Sequence, residues 1–189
     1  MKSALIVIDM QNGFLHPDGE NHFAEARRVI DPALQLIEAA DRGGHILVHV
    51  ADRHRQGFTD FEQRHLPAHC MAGTFHAAFS EGFGPQGRRR EIAIEKRRYS
   101  AFFGTDLALF LREQDVSAVT LCGVKTNVCV RSTAQDAFAH GFNVRLVREA
   151  VATNRAHLGA AALEDIDRYF GQVVLLAKAL EDLAGAAVT

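Results

Sequence analysis

The chain has 189 residues, of which 48% are hydrophobic and 23% are charged, and its formal net charge at pH 7 is −2. This composition is typical of a soluble globular protein and excludes disordered and fibrous chains. The basic residues form only short clusters and lack the long basic stretches with interleaved aromatics of nucleic-acid-binding proteins, so we expect no nucleic-acid partner. The length predicts one domain over residues 1–189.

The apolar run at residues 4–8 ends at Asp9 and is too short for a signal-peptide core or a membrane span. We therefore expect no membrane partner. The three cysteines, Cys70, Cys122 and Cys129, are too few and odd in number for a disulfide framework, which indicates a reducing compartment. The sequence predicts a cytoplasmic protein.

Six short runs rich in apolar and β-branched residues predict β-strands. They cover residues 3–9, 45–51, 91–96, 117–123, 142–148 and 172–176. Continuous apolar runs of this kind are typical of strands buried on both faces, as in a parallel sheet.

Helical patterns lie between these runs. Residues 31–44 begin with Asp31 and Pro32 and end with Gly43 and Gly44, which are start and stop signals of a helix. Three further helices are predicted at 105–114, 127–140 and 157–170. Strands that alternate with helices predict a three-layer α/β/α fold with a doubly wound, mainly parallel sheet of about six strands.

Two segments, residues 11–23 and 52–90, do not fit this alternation. Long loops in compact domains are usually functional or disordered. We expect these two to be functional.

Three reactive side chains fall at strand ends. Asp9 ends the first predicted strand, Lys96 ends the third, and Cys129 follows the fourth by one turn. Each alone has an ordinary structural explanation, as a cap residue, a surface charge or a small buried hydrophobe. Together they indicate a nucleophile, because a cation, a base and a helix start each favour a thiolate or accept the thiol proton.

Three segments resemble the isochorismatase-like cysteine hydrolases, the superfamily of nicotinamidases and N-carbamoylsarcosine amidohydrolases. They are LIVIDMQNGF at 5–14, EKRRYSAFFGTDL at 95–107 and LCGVKTNVCVRSTAQDAF at 121–138. The segments occur in the family's order and spacing, and the resemblance extends from the first strand to about Thr153.

The resemblance implies a catalytic triad of Asp9, Lys96 and Cys129. It also implies a cis peptide bond between Val124 and Lys125, with the backbone N–H groups of Lys125 and Cys129 forming an oxyanion hole. The implied activity is hydrolysis of a small carboxamide, ureido or carbamoyl compound through a thioester. A homo-oligomer without an organic cofactor is the expected assembly.

Further residues near these motifs are candidates for contact with the substrate. Phe14 is the first candidate for a pocket wall, followed by Phe102 and Phe103, and Gln11 is a candidate for substrate binding. Aromatic residues at such positions belong equally often to a core. Arg98 is expected to bind a polar substrate group or a neighbouring subunit.

A metal site is predicted from Asp52, His54 and His69. On an extended chain, residues two apart point to the same side, so a loop histidine can complete a three-ligand site for a zinc-like divalent ion. The pattern resembles that of nicotinamidases, whose ion binds the pyridine nitrogen. Arg53 and Arg55 depart from that pattern, and several members of the superfamily need no metal, so both alternatives stay open.

The sequence leaves three functions open. The leading one is a C–N amidohydrolase, with a nicotinamidase-like enzyme as the best-motivated subclass. An isochorismatase, which cleaves a vinyl ether, is disfavoured because such members typically lack the cysteine. A non-catalytic binding protein on the same fold is the third, because a fold does not fix a function.

Overall fold

The computed structural model describes residues 2–185. It contains one six-stranded sheet in the order β3-β2-β1-β4-β5-β6, and every neighbouring pair is parallel. The strands are β1 (Ser3–Ile8), β2 (Ile46–Asp52), β3 (Glu91–Lys96), β4 (Ala118–Val124), β5 (Asn143–Ala152) and β6 (Gln172–Val174). The predicted fold class is confirmed.

Helices cover both faces of the sheet. The α-helices are α1 (Asn12–Leu15), α2 (Ile30–Arg42), α3 (Leu107–Glu113), α4 (Arg131–Ala139), α5 (Ala156–Asp165) and α6 (Leu176–Ala184). Shorter turns are 3₁₀-helical at Ala24–Val29 and Phe61–Arg64, and π-helical at Thr126–Val130 and Ile166–Phe170. Among residues 2–185 no helix is long and apolar enough to cross a membrane.

The alternation of side chains along β1 divides the core into two layers. Leu5 and Val7 pack with the apolar faces of α2 and α6, whereas Ile6 and Ile8 pack with those of α3 and α4. Successive residues of a strand point to opposite faces, so one wholly apolar strand supplies both layers. Burial of each such side chain stabilises the fold by about 1.5–3 kcal/mol.

The structure corrects several boundaries. β5 continues to Ala152 because, after a register shift, its last two residues pair with Gly123 and Val124. The predicted strand at 172–176 stops at Val174, and the unpredicted helix α6 follows it. Asp31 does not cap α2, because the chain enters that helix from the 3₁₀ turn at Ala24–Val29.

The strand order positions the functional edge. β1 lies between β2 and β4, and the chain winds outward from it in both directions. Ligands of such sheets bind beyond the carboxyl ends of the strands, where the winding reverses. The ends of β1, β3 and β4 carry the three predicted reactive residues.

Candidate active site

The structure brings Asp9, Lys96 and Cys129 together at the carboxyl edge of the sheet. The Lys96 Nζ atom lies 2.9 Å from Asp9 Oδ2 and 3.5 Å from Cys129 Sγ. All three residues are buried, with Asp9 at 0% exposure. The amine therefore bridges the carboxylate and the thiol in a site that excludes most water.

Asp9 has an unusual backbone conformation. Its φ is 55°, in the left-handed region that few residues with a Cβ atom adopt. A hydrogen bond from its N–H to the Val50 carbonyl, 3.0 Å long, helps to hold this conformation. Non-glycine residues in this region concentrate at functional sites.

A glycine is required where β4 passes β1. Gly123 has a φ of 117°, and a Cβ atom at this position would lie 2.0 Å from the Ile8 carbonyl oxygen. The next peptide bond, between Val124 and Lys125, is cis, as the resemblance implies. Among residues 2–185 the Lys125 N–H has no backbone acceptor.

Burial dominates the electrostatics of the triad. It raises the pKa of Asp9 to about 6, against the opposing effect of the Lys96 charge. Burial also raises the pKa of the Cys129 thiol, again against the effect of Lys96. Burial alone would lower the pKa of Lys96, but Asp9, Cys129 and Asp52 outweigh it and the pKa is raised.

These shifts make the resting site a thiol beside a carboxylate and an ammonium group. Because the pKa of the thiol is raised, the thiol needs a base to ionise, and Asp9 is the neighbouring group that can accept its proton. Asp9 Oδ2 is engaged by the Lys96 ammonium, 2.9 Å away, whereas the buried Oδ1 has no hydrogen-bond partner among the described residues and is free to accept one.

A second group of polar side chains adjoins the triad. Asp52, His54, Glu62 and His69 are buried, and their ligand atoms all lie within 4.8 Å of one another. Asp52 connects the two groups, because its Oδ1 lies 3.3 Å from His54 Nε2 and 3.8 Å from Lys96 Nζ. The three predicted metal ligands are thus together, and Glu62 joins them.

The Nδ1 atom of each of the two histidines has a hydrogen-bond partner outside this group of four residues. His69 Nδ1 lies 2.8 Å from the Pro67 carbonyl oxygen, which requires that nitrogen to donate. His54 Nδ1 lies 3.0 Å from the Asp60 carboxylate, which Arg98 also contacts. With Nδ1 protonated on each ring, both Nε2 atoms offer a lone pair to the centre.

This donor set fits a divalent ion. Glu62 Oε2 is buried without a hydrogen-bond partner, and the buried His54 Nε2 has only the 3.3 Å contact with Asp52 Oδ1, among the described residues. Buried polar atoms without partners are costly in a folded protein. Two imidazoles and two carboxylates suit zinc and similar ions. Without an ion, the hydrogen bond to Asp52 is the main cause that raises the pKa of His54 to about 9, so an ion must displace that proton.

A cavity of about 350 Å³ opens onto both groups. Phe14, Tyr99, Lys125 and Cys129 are among the residues that line it, together with Asp52, Glu62 and His69 of the polar group. Its walls therefore expose the nucleophile and the candidate metal ligands to one small molecule. Phe14 lies in the wall, where the sequence placed it.

Other predicted contacts lie elsewhere. Phe102 stacks on Phe142 in the core, with ring centroids 5.8 Å apart, and Phe103 is exposed. Arg98 contacts Asp60 and so supports the polar group instead of the cavity. Gln11 uses its side-chain amide on backbone groups, at 2.8 and 2.9 Å from Asp52 and 2.8 Å from Ala77, and fixes the position of Asp52.

Sequence reasoning missed Glu62. The residue sits on the 3₁₀ turn Phe61–Arg64, which a reciprocal capping interaction between Asp60 and Gln63 starts. The Asp-x-x-Gln spacing is a known helix-start signal, and it could have placed an acidic residue on an ordered turn within the long loop. Cys70 and Cys122 are buried in the core, as predicted.

The fold and this group of residues define a class: an α/β protein whose parallel sheet carries a buried carboxylate, amine and thiol together at its carboxyl edge, where enzymes of this architecture bind their ligands. The Isochorismatase domain family matches residues 3–178, and the chain belongs to this family.

Similar proteins narrow the reaction. The maleamate amidohydrolase of Pseudomonas putida is 32% identical over 187 residues, which are 96% of this chain and 87% of the relative. The N-carbamoylsarcosine amidase structure from Thermoplasma acidophilum is 31% identical with a TM-score of 0.81, covering 93% of this chain and 95% of that one. The zinc complex of the pyrazinamidase from Pyrococcus horikoshii is 34% identical with a TM-score of 0.84, covering 93% and 99%. The protein is an amidohydrolase that acts on carbon–nitrogen bonds other than peptide bonds.

Proposed function

We propose that the protein hydrolyses a small carboxamide, ureido or carbamoyl compound through a thioester on Cys129. The observation that carries this proposal is the position of the Lys96 ammonium between Asp9 and Cys129, at 2.9 and 3.5 Å. A thiol needs a base and a nearby cation to react as a thiolate, and this geometry supplies both.

In the acylation half-reaction, Asp9 accepts the proton of Cys129 and Lys96 stabilises the ionised pair. The sulfur attacks the carbonyl carbon and forms a tetrahedral intermediate. Its collapse breaks the C–N bond, and Asp9 returns the proton to the leaving nitrogen, which departs as ammonia or an amine. The product of this half-reaction is a thioester.

In the deacylation half-reaction, Asp9 removes a proton from water. The hydroxide attacks the thioester, the C–S bond breaks, and the acid is released while the Cys129 sulfur recovers its proton from Asp9. In both halves the backbone N–H groups of Lys125 and Cys129 stabilise the oxyanion. Each donor of this kind lowers the activation barrier by about 3–4 kcal/mol. The Lys125 N–H has no backbone acceptor among the described residues, which supports its assignment to the oxyanion hole.

Asp52, His54, Glu62 and His69 are the residues that would hold a divalent ion. When bound, the ion supplies a Lewis-acid contact for a nitrogen or oxygen atom of the substrate in the cavity. Gln11 positions Asp52 through its backbone, and Asp60 orients the His54 ring. Both roles follow from the hydrogen bonds described above.

The relatives named above suggest which amides to test. Their names specify maleamate, N-carbamoylsarcosine and pyrazinamide, which are a monoamide of a diacid, a ureido acid and a heteroaromatic carboxamide. A nicotinamidase-like enzyme is the subclass that the metal-ligand pattern favours, because a ring nitrogen is a good ligand for a bound ion.

The test is release of ammonia from a panel that contains nicotinamide, pyrazinamide, maleamate, biuret and N-carbamoyl amino acids. The enzyme is assayed with and without added zinc, and Cys129→Ala serves as the blank. We expect release from at least one compound that is absent in the blank. Equal release by the blank contradicts the cysteine mechanism, and silence over the whole panel contradicts the proposed substrate class.

A further inference from the structure

The charged side chains that line the cavity differ in whether they have a hydrogen-bond or ion-pair partner. Three carboxylates line it: Asp52 pairs with His54 and His69, Glu20 accepts the Cys70 N–H at 2.5 Å, and Glu62 has Oε1 3.6 Å from His69 while its Oε2 has no partner in the described part of the chain. Lys125 differs, because its ammonium contacts the ring of Phe23, 5.4 Å from the centroid, and takes part in no ion pair among residues 2–185.

Lys125 is half-buried in the wall of the cavity. Burial is the main cause that lowers the pKa of its side chain, because a half-buried ammonium group is poorly solvated. An ammonium group in this position, without an ion-pair partner among the described residues, is stabilised by a nearby anion.

The side chain of Lys125 also starts next to the position proposed for the reacting carbonyl group. Its backbone N–H belongs to the proposed oxyanion hole, so the ammonium lies at most one side-chain length from the carbonyl under attack. Among the described residues that line the cavity, Lys125 alone is a lysine or arginine. A charged group separated from the amide by a few atoms is therefore within its reach.

We propose that the side chain of Lys125 recognises a carboxylate on the substrate, which is then an amide or ureido compound that also carries an acid group. This inference rests on the proposed function and, within its substrate class, favours amides that carry an acid group over nicotinamide, which has none. It makes Lys125 a determinant of specificity through its side chain, separately from the role of its backbone N–H.

The experiment compares kcat/KM for maleamate and nicotinamide in the wild type and in Lys125→Met, which keeps the stem and the backbone donor. We expect the maleamate-to-nicotinamide ratio to fall about tenfold in Lys125→Met, mainly through the KM for maleamate, and to recover in Lys125→Arg. Lys125→Gln is a second neutral variant in case Lys125→Met is unstable. Lys178→Met, on the remote helix α6, is the matched lysine control.

An unchanged ratio in Lys125→Met and Lys125→Gln overturns the inference. It is also overturned if the preference for maleamate disappears on removal of metal by a chelator but survives both variants, because the carboxylate is then held by the metal ligands.

A binding measurement separates this inference from the proposed function. Calorimetry of maleamate with Cys129→Ala needs no turnover, and we expect Kd to weaken about tenfold when Lys125→Met is added. If no amide is hydrolysed but this difference is present, the proposed function fails while the anion site stands. If amides are hydrolysed and the difference is absent, only the anion site fails.

Discussion

The triad and the group formed by Asp52, His54, Glu62 and His69 occupy one cavity but are built differently. Asp9 and Lys96 stand at strand ends and Cys129 on the π-helical turn that follows β4, all held by the core, whereas three members of the second group lie on the long loop after β2. Elements packed on the core hold a nucleophile and its base rigidly, which proton transfer requires. A loop can vary its ligands without disturbing the sheet, which suits the part of a site that selects the substrate.

The largest effect is expected at the nucleophile. Cys129→Ala should lower kcat by on the order of 10⁴-fold or more, because no other group replaces the thiol. Cys70→Ala and Cys122→Ala are the matched controls, and they should retain activity wherever they fold. Near-wild-type turnover by Cys129→Ala would mean that the triad is not the catalytic group and that the loop residues carry out the reaction.

The second-largest effect is expected at the proposed base, Asp9. Asp9→Asn should lower kcat by about 10³-fold, since an amide cannot accept the thiol proton. In the wild type, kcat/KM should fall as the pH drops below about 6, because burial raises the pKa of Asp9 to about 6 and the protonated acid is not a base. A profile that is flat from pH 5 to 8 would remove Asp9 from this role.

Stability gives a separate view of the triad. Lys96→Met leaves the buried Asp9 carboxylate without its ion pair and should lower the free energy of unfolding by about 3 kcal/mol. The double variant Asp9→Asn/Lys96→Met should be more stable than Lys96→Met alone, because the unpaired charge is gone. Urea unfolding of Lys96→Met, Asp9→Asn and the double variant measures this difference. Strictly additive changes in the free energy of unfolding would contradict the ion pair between Asp9 and Lys96.

Loop substitutions should act on metal content first. His69→Ala and Glu62→Gln should each weaken zinc binding about 10- to 100-fold, measured by metal analysis after dialysis against buffered zinc. His65→Ala, an exposed histidine in the same loop, is the matched control. Equal zinc content in all three variants and the wild type would show that these residues hold no ion.

The smallest effect concerns His49, a buried histidine outside the candidate active site. Both ring nitrogens of His49 are engaged, one with Glu91 at 3.0 Å and one with the Gly84 N–H at 3.2 Å. Burial lowers the pKa of His49 below its usual 6.5, against the effect of Glu91. The unfolded chain therefore binds the proton first, and the stability that neutral His49 contributes is present above pH 6.5 and is lost as the pH falls below that value.

This loss of stability is the smallest effect expected, and His49→Gln should flatten the pH dependence over this range. Chemical unfolding between pH 5 and 7.5 measures it. Added zinc should leave this contribution of His49 unchanged, in contrast to the histidines of the loop. A wild-type stability that rises as the pH falls through this range would contradict the assignment.

The triad was predictable because strand ends are predictable. Apolar runs predicted β1, β3 and β4 to within a residue, and parallel strands bring their carboxyl ends to one edge, so Asp9 and Lys96 were expected at the same edge. That they form a triad with Cys129 was implied by the family resemblance. The position of Glu62 was not predicted, because it depends on a local 3₁₀ turn and not on hydrophobic periodicity. Gln11 was misplaced because sequence gives no sign that a buried amide satisfies backbone groups of another strand.

The most direct test of the thioester mechanism is partitioning between water and hydroxylamine. The amide and the methyl ester of one accepted acid are each turned over with hydroxylamine present, and the ratio of hydroxamate to free acid is measured. A common acyl-enzyme on Cys129 predicts the same ratio from both substrates at each hydroxylamine concentration. Ratios that depend on the leaving group, or turnover without any hydroxamate, would contradict a thioester intermediate.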